Sequence, residues 1–299
     1  MSQTSENILK TVTPVSHDLG DFTVRRAIPS KECRMVGPFV FVDQFGPARL
    51  DPGTGMDVRP HPHINLATVT WLFEGAIDHR DSLGTFSTIR PGTVNLMTAG
   101  KGIVHSERSP ETERADGPAL YGMQTWLAMP EPVEEMNPAF EAVSDLPLIE
   151  DNSAKARIVM GELWGQRADT TCYADTIYAE IVLEAGGSIP VDAEADERAV
   201  MLVGGEASID GQELGLYELT VLKPGSAMRL TSSKGGRLML LGGEAFKERR
   251  YVYWNFVSSR RDRIEQAKED WQARRFPDVP GDSEERIPLP DQPKTVSYP

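Results

Sequence analysis

The chain has 299 residues, 39% of them apolar and 25% charged, with 31 basic against 45 acidic side chains and a net charge of -14. That length suits about two domains, and the acidic balance opposes nonspecific attraction to nucleic acid or anionic lipid. No apolar run approaches the ~20 residues of a spanning helix, and the opening MSQTSENILK lacks a signal peptide's apolar core. Two cysteines, Cys33 and Cys172, cannot build a disulfide framework, so the expectation is a cytoplasmic chain with reduced thiols. In chain order, runs rich in Val, Ile, Thr, Leu and Phe predict strands at 38–45, 67–73, 85–89, 177–183, 199–203 and 238–241. In 177–183 the residues Ile177, Ala179, Ile181 and Leu183 share one face, the period of a half-buried strand. Asp210-Gly211 predicts a hairpin turn. Many short strands joined by such turns make an all-β sandwich or barrel. Helical spacing returns only near the end, where Ile264, Ala267 and Trp271 predict a helix over 259–275. Ser259, three residues before Asp262, would open it as a capping box. The proline-rich stretch 278–299 is expected to be an irregular surface tail.

An internal repeat sets the domain count. Pro60, Leu72 and Gly75 recur 130 residues later as Pro190, Leu202 and Gly205. Pro91, Gly92, Thr98, Lys101 and Gly102 recur 133 later as Pro224, Gly225, Thr231, Lys234 and Gly235. The growing offset places a short insertion after Ser208. Two β-barrels in tandem follow, with boundaries expected at 1–145, 146–258, and 259–299 for the helix and tail.

The chain has five histidines: His17, His61, His63, His79 and His105. Alternate residues of a strand point to one face, so His61 pairs with His63 and His105 with Glu107. If the two segments are neighbouring strands, three imidazoles and a carboxylate converge, a donor set suited to a first-row transition metal. In the repeat, Val191 and Ala193 stand opposite His61 and His63, and Leu238 and Leu240 opposite His105 and Glu107. The first barrel is therefore expected to hold one metal and the second none. His79 reads as part of a polar turn, 78–84, either a loop residue or one at the mouth of the site, and His17 as an exposed or partly buried side chain. Trp71 and Trp126 read as core residues, with pocket lining as the alternative, and the pairs Arg249-Arg250 and Arg260-Arg261 as solvated faces.

Gly55 and Gly102 complete the spacing G-x5-H-x-H followed by G-x2-H, which resembles the bicupin pattern. Ala67 sits where many cupins place a glutamate ligand, which leaves Glu107 as the replacement. The segments Val36-Gly-Pro-Phe, Asp43-Gln-Phe-Gly-Pro47, His61-Pro-His63, Phe73-Glu-Gly75, Asp78-His-Arg-Asp-Ser82 and the long string from Met97 to Glu107 resemble pirins. The similarity extends more loosely to Trp254-Asn-Phe-Val-Ser-Ser259 and the terminal helix.

This resemblance implies two tandem cupin (jelly-roll-like) β-barrels. It implies one iron, Fe(II), in the N-terminal barrel, held by His61, His63, His105 and Glu107. It implies quercetin 2,3-dioxygenase activity, in which dioxygen opens a flavonol-like aromatic substrate and carbon monoxide leaves. Glu107 would then be the general base for the 3-hydroxyl proton. The same ligands would serve a metal-dependent regulatory protein that binds a transcription factor or an enzyme, or a metal-stabilised barrel whose cleavage of quercetin is incidental. Pirins usually follow HPH with Arg-Gly-Phe-Glu, where this chain has Ile64-Asn65-Leu66-Ala67.

Overall fold

The computed structural model describes residues 6–18, 22–151, 153–192, 194–291 and 295–298. Strands form its regular structure, joined among the described residues by two helices, Glu111–Arg114 and Arg261–Gln272. Two compact units divide the chain. One comprises Met1–Ser16, Arg25–Gln44 and Asp145–Phe246, the other His17–Val24, Phe45–Ser144 and Lys247–Pro299. The second of these contains every histidine named above and is called the histidine unit.

In the histidine unit a four-stranded sheet runs in the order Asp57–His63, Ile103–Arg108, Ile77–Asp81, Phe86–Ile89. A larger sheet contains Ala139–Val143, Val94–Thr98, Leu66–Gly75 and Ala119–Ala128 side by side, all antiparallel. The last segment of the chain adds a small sheet, with Phe256–Ser258 and Val296–Tyr298 on either side of Arg250–Tyr253. Helix Arg261–Gln272 buries Ile264, Ala267 and Trp271, the face expected from their spacing. These residues pack with Ile64, Val104, Tyr253, Phe256 and Val279. Ile64 and Val104 each adjoin a histidine strand's inner face, so the helix braces those strands from behind.

In the other unit a four-stranded sheet has the order Ser188–Val191, Met228–Thr231, Ser208–Ile209, Gln212–Glu213. Its larger sheet includes Ile8–Val12, Leu219–Leu222, Glu197–Gly205, Gly236–Gly243 and Thr176–Leu183 in that order. The Asp210-Gly211 turn forms as expected, with φ of 47° and 80° joining the pairs Ile209↔Gln212 and Ser208↔Glu213. Positive φ at both central residues gives a twist that matches the strands. Strand 176–183 is less one-sided than its period predicts, because Tyr178 is also fully buried, its ring 5.4 Å from that of Phe39.

The two units repeat one topology, but the repeat read from the sequence holds only in part. Gly75 and Gly205 are equivalent for a steric reason. Each has positive φ, and an added Cβ would lie 2.0 Å from the Ala119 carbonyl oxygen or 2.3 Å from that of Gly235. The Pro-Gly turns are not equivalent. Pro91-Gly92 leads into Val94–Thr98, whereas Pro224-Gly225 leads into Met228–Thr231. By sheet order Met228–Thr231 corresponds to Ile103–Arg108, and Gly236–Gly243 corresponds to Ala119–Ala128. Leu238 and Leu240 therefore do not stand opposite His105 and Glu107. Met228 pairs with Val191 as His105 pairs with His61, so Met228 takes the place of His105. Ala193 lies outside the described residues.

Three further expectations change. The helix starts at Arg261 with no side-chain cap, since the Ser259 hydroxyl donates to Glu134 Oε1 at 2.5 Å. The tail is pinned: Val296–Tyr298 pairs with Arg250–Tyr253, and Val279 and Tyr298 are buried. Arg250 is fully buried rather than solvated, and its guanidinium donates to the carbonyls of Met129, Glu248 and Arg249. Arg260, Arg261 and His17 are exposed as expected.

Candidate metal centre

Three neighbouring strands of the four-stranded sheet build the site. His61 pairs directly with His105 across one strand boundary. Across the other, His105 pairs with Asp81 and Glu107 with His79. Paired residues share a face, and so do alternate residues along a strand. His61, His63, His79, Asp81, His105 and Glu107 thus occupy one face, and all are buried. A register shift between His105 and Glu107 interrupts pairing with the first strand. One nitrogen each from His61, His63 and His105 lies within 4.8 Å of the others, and this trio is the group of metal-type donors found among the described residues. Glu107 is buried beside the trio in sequence but is not a member of that group.

The hydrogen bonds fix which nitrogens face inward. His61 Nδ1 is 2.9 Å from the Arg59 carbonyl oxygen, and His63 Nδ1 is 3.2 Å from that of Asn255. A carbonyl only accepts, so both rings carry their proton on Nδ1 and present a bare Nε2. His63 Nε2 lies 3.1 Å from His105 Nε2. Burial lowers the His61 pKa to about 4, against a smaller opposing effect of the Arg59 carbonyl. Burial, then neighbouring imidazoles, lowers those of His63 and His105 well below the ordinary range. At neutral pH the trio is therefore uncharged, the state in which imidazole binds a metal. The residues present fit a transition-metal ion.

Glu107 Oε1 accepts a hydrogen bond from Gln124 Nε2 at 2.8 Å. Burial raises the carboxyl's pKa, and the Gln124 bond opposes that rise. Trp126 places its ring edge-on to His63, with centroids 5.0 Å apart, while Trp71 is a buried core residue.

His79 corrects the sequence reading. The stretch read as a turn is strand Ile77–Asp81, and only Ser82–Gly84 turns. Its ring is 2% exposed and lies 5.3 Å from that of His105. Gln124 and Asn255 were also invisible to the sequence reading. Gln124 is one polar residue in an apolar strand, and Asn255 acts through its backbone.

The replacement Ile64-Asn65-Leu66-Ala67 is buried throughout. Ile64 joins the core around Trp271. Asn65 has φ 56°, a conformation that glycine adopts most easily and asparagine tolerates. Its Nδ2 donates to the Glu134 carbonyl at 2.6 Å.

An all-β chain with two cupin domains, one of which carries a buried cluster of three neutral imidazoles, is a bicupin with a candidate metal centre. Residues 21–127 match the pirin domain family, and residues 178–277 match the pirin C-terminal cupin domain. The chain belongs to the pirin family. A pirin-like protein of Caulobacter vibrioides is 46% identical over 92% of this chain and 96% of its own. The crystal structure of a quercetin 2,3-dioxygenase from Acinetobacter baumannii superimposes with a TM-score of 0.89, at 33% identity over 96% of this chain and 98% of that one. A bacterial pirin from Escherichia coli in complex with nickel(II) shares the fold, with a TM-score of 0.63 at 16% identity over 78% of this chain and 98% of that one. Among the described residues no helix is long and apolar enough to cross a membrane.

Proposed function

We propose that this pirin is a metal-dependent oxygenase of the quercetin 2,3-dioxygenase type, with one Fe(II) held by His61, His63, His105 and Glu107. The observation that carries the reading is the convergence of three buried, uncharged imidazoles, supported by likeness to the Acinetobacter baumannii quercetin dioxygenase over nearly the whole chain. The metal, when bound, would supply Lewis-acid stabilisation of a substrate oxyanion and the redox chemistry toward dioxygen. The chain's own work is to hold and move a proton. A flavonol reacts as its 3-oxyanion, so a base must take the 3-hydroxyl proton. Glu107 is suited to that role by its place: it is buried on the face that carries the three imidazoles, and a carboxylate weakly held by a metal keeps an oxygen able to accept a proton. Gln124 engages Oε1, which leaves Oε2 to receive the proton. The second barrel is read as metal-free, with Met228 and Val191 where the first has His105 and His61. Cys33 and Cys172 are not joined in a disulfide, which suits a cytoplasmic location.

The test is aerobic turnover of quercetin by iron-loaded protein. Stoichiometric release of carbon monoxide with consumption of dioxygen supports the reading. Iron-loaded protein that consumes neither quercetin nor dioxygen rejects it and turns attention to a metal-dependent regulatory role.

A further inference from the structure

Each imidazole of the trio commits its Nδ1 to a partner. For His61 and His63 the partner is a backbone carbonyl, which no side-chain substitution removes. For His105 it is another side chain. His79 Nδ1 lies 3.4 Å from His105 Nδ1, and His79 Nε2 lies 3.1 Å from Asp81 Oδ2. Asp81 is fully buried, and its Oδ1 accepts the backbone N–H groups of Leu83 at 2.9 Å and Thr85 at 3.1 Å. The His79 ring is stacked on Phe140, with centroids 4.6 Å apart and planes 24° apart. Nothing in the proposed reaction uses His79 or Asp81.

The direction of the protons along this row follows from the acceptors. An ionised Asp81 can only accept, so His79 carries its proton on Nε2 and donates it to Oδ2. A neutral His79 then has a bare Nδ1, which can only accept. That acceptor draws the His105 proton to Nδ1, in competition with an Nε2–H donated to the bare Nε2 of His63 3.1 Å away, and so puts the His105 lone pair on Nε2. We propose that Asp81 and His79 are the positioning pair of the metal centre: they set the tautomer of His105 and aim its Nε2 at the site. This rests on the reading of His61, His63 and His105 as metal ligands. Partners of this kind fix ring orientation and raise ligand basicity, and their loss typically weakens metal binding ~10–100-fold.

Asp81→Asn tests the pair with almost no change of shape. Leu83 and Thr85 still require an acceptor, so the amide oxygen takes the Oδ1 place and the NH2 group faces His79. That group donates to His79 Nε2, the His79 proton moves to Nδ1, and His105 is driven to carry its proton on Nε2. The probe is cobalt(II), titrated into metal-free protein against a competing chelator. Tautomers are read by nitrogen-15 NMR of the histidine rings in metal-free protein. The expected result is ~10–100-fold weaker cobalt binding together with a change of His105 from Nδ1–H to Nε2–H, which general loosening of the fold would not produce. His79→Phe keeps the stack on Phe140 and removes the relay, so it serves if Asp81→Asn does not fold; cobalt binding should again weaken by ~10-fold or more. Wild-type cobalt affinity in the variant that folds overturns the proposal, as does an unchanged His105 tautomer in Asp81→Asn. Wild-type protein that binds no cobalt would overturn the metal reading and the proposal with it, whereas binding that both variants leave unchanged overturns the proposal alone.

Discussion

The His63 imidazole donates through Nδ1 to the backbone carbonyl of Asn255, 3.2 Å away and 192 residues further along the chain. A ring of the imidazole trio is thus oriented by a segment that follows the second barrel in sequence. Asn255 sits between Arg250–Tyr253 and Phe256–Ser258, at the turn of a hairpin. Phe256 bridges to Ile64, the residue after His63, and helix Arg261–Gln272 packs on both. The terminal segment is therefore part of the site's scaffold.

Trp271→Ala tests that dependence. Trp271 is 4% exposed, and truncating a buried aromatic residue typically costs ~3–5 kcal/mol. The variant should unfold at lower denaturant and also bind cobalt(II) more weakly, because the Asn255 carbonyl loses its support. Leu238→Ala is the control. Leu238 is fully buried in the other unit, so a cost of ~2–5 kcal/mol should leave cobalt affinity at the wild-type value. Chelator competition and urea titration on both variants distinguish the two patterns.

Glu107→Gln separates proton transfer from metal retention. The amide keeps an oxygen able to accept from Gln124, and it presents NH2 where the carboxylate has Oε2. It cannot take a proton at neutral pH. A substantial fraction of the iron should remain while quercetin turnover falls ~100-fold or more, the scale of a positioned base. The loss should shrink at high pH, where the flavonol is already ionised. Turnover near that of the wild type in fully loaded protein would remove Glu107 from the proton step.

Acid should destabilise the metal-free protein before it titrates the folded site. The free imidazole value is 6.5, and the folded value for His61 is about 4. Between these limits the unfolded chain binds a proton that folded His61 refuses, so stability falls as pH drops through the window. For His61 alone the full loss is about 3 kcal/mol, reached below pH 4. His63 and His105 act in the same direction. Glu107 opposes them, since its raised pKa favours the folded state as pH drops toward the ordinary carboxyl range, but it is one group against three. The urea midpoint of metal-free protein should be lower at pH 5 than at pH 7. A midpoint that holds or rises would show that the folded imidazoles take up protons readily.

What the sequence revealed depended on which residues carry their reason in their own chemistry. His61-Pro-His63 and His105-Ser-Glu107 were legible because a two-residue period and a ligand-type side chain coincide. Gly75 and Gly205 were legible because a close carbonyl excludes any Cβ at both places. Pro91-Gly92 and Pro224-Gly225 misled, since a Pro-Gly turn suits many hairpins and says nothing about which strand follows. His79 was hidden because Asp78-His-Arg-Asp-Ser82 has the composition of a turn. Only pairing with Ile103–Arg108 makes it a buried strand. Ser259 was read as a cap because its partner, Glu134, is 125 residues away.

Asn65 offers a test of the corner that joins the His63 strand to its successor. It is fully buried, with φ 56°. Its backbone N–H donates to the Gly100 carbonyl at 2.8 Å, and its side chain donates to that of Glu134 at 2.6 Å. Two costs are therefore separable. Asn65→Gly keeps the backbone conformation at little strain and loses the side-chain bond, leaving the Glu134 carbonyl without that donor, at ~1–3 kcal/mol. Asn65→Ala loses the same bond and also forces a methyl-bearing residue into the left-handed region, which adds ~1–2 kcal/mol. The expected order of stability is wild type, then Gly, then Ala. Glu134 Oε1 also accepts from Ser259, so slackening at Glu134 should reach the start of the terminal helix. Hydrogen exchange of the backbone amides in 261–272 should accelerate in both variants, more in Ala than in Gly. If Ala matches Gly in urea midpoint, backbone conformation is not what selects asparagine at this corner.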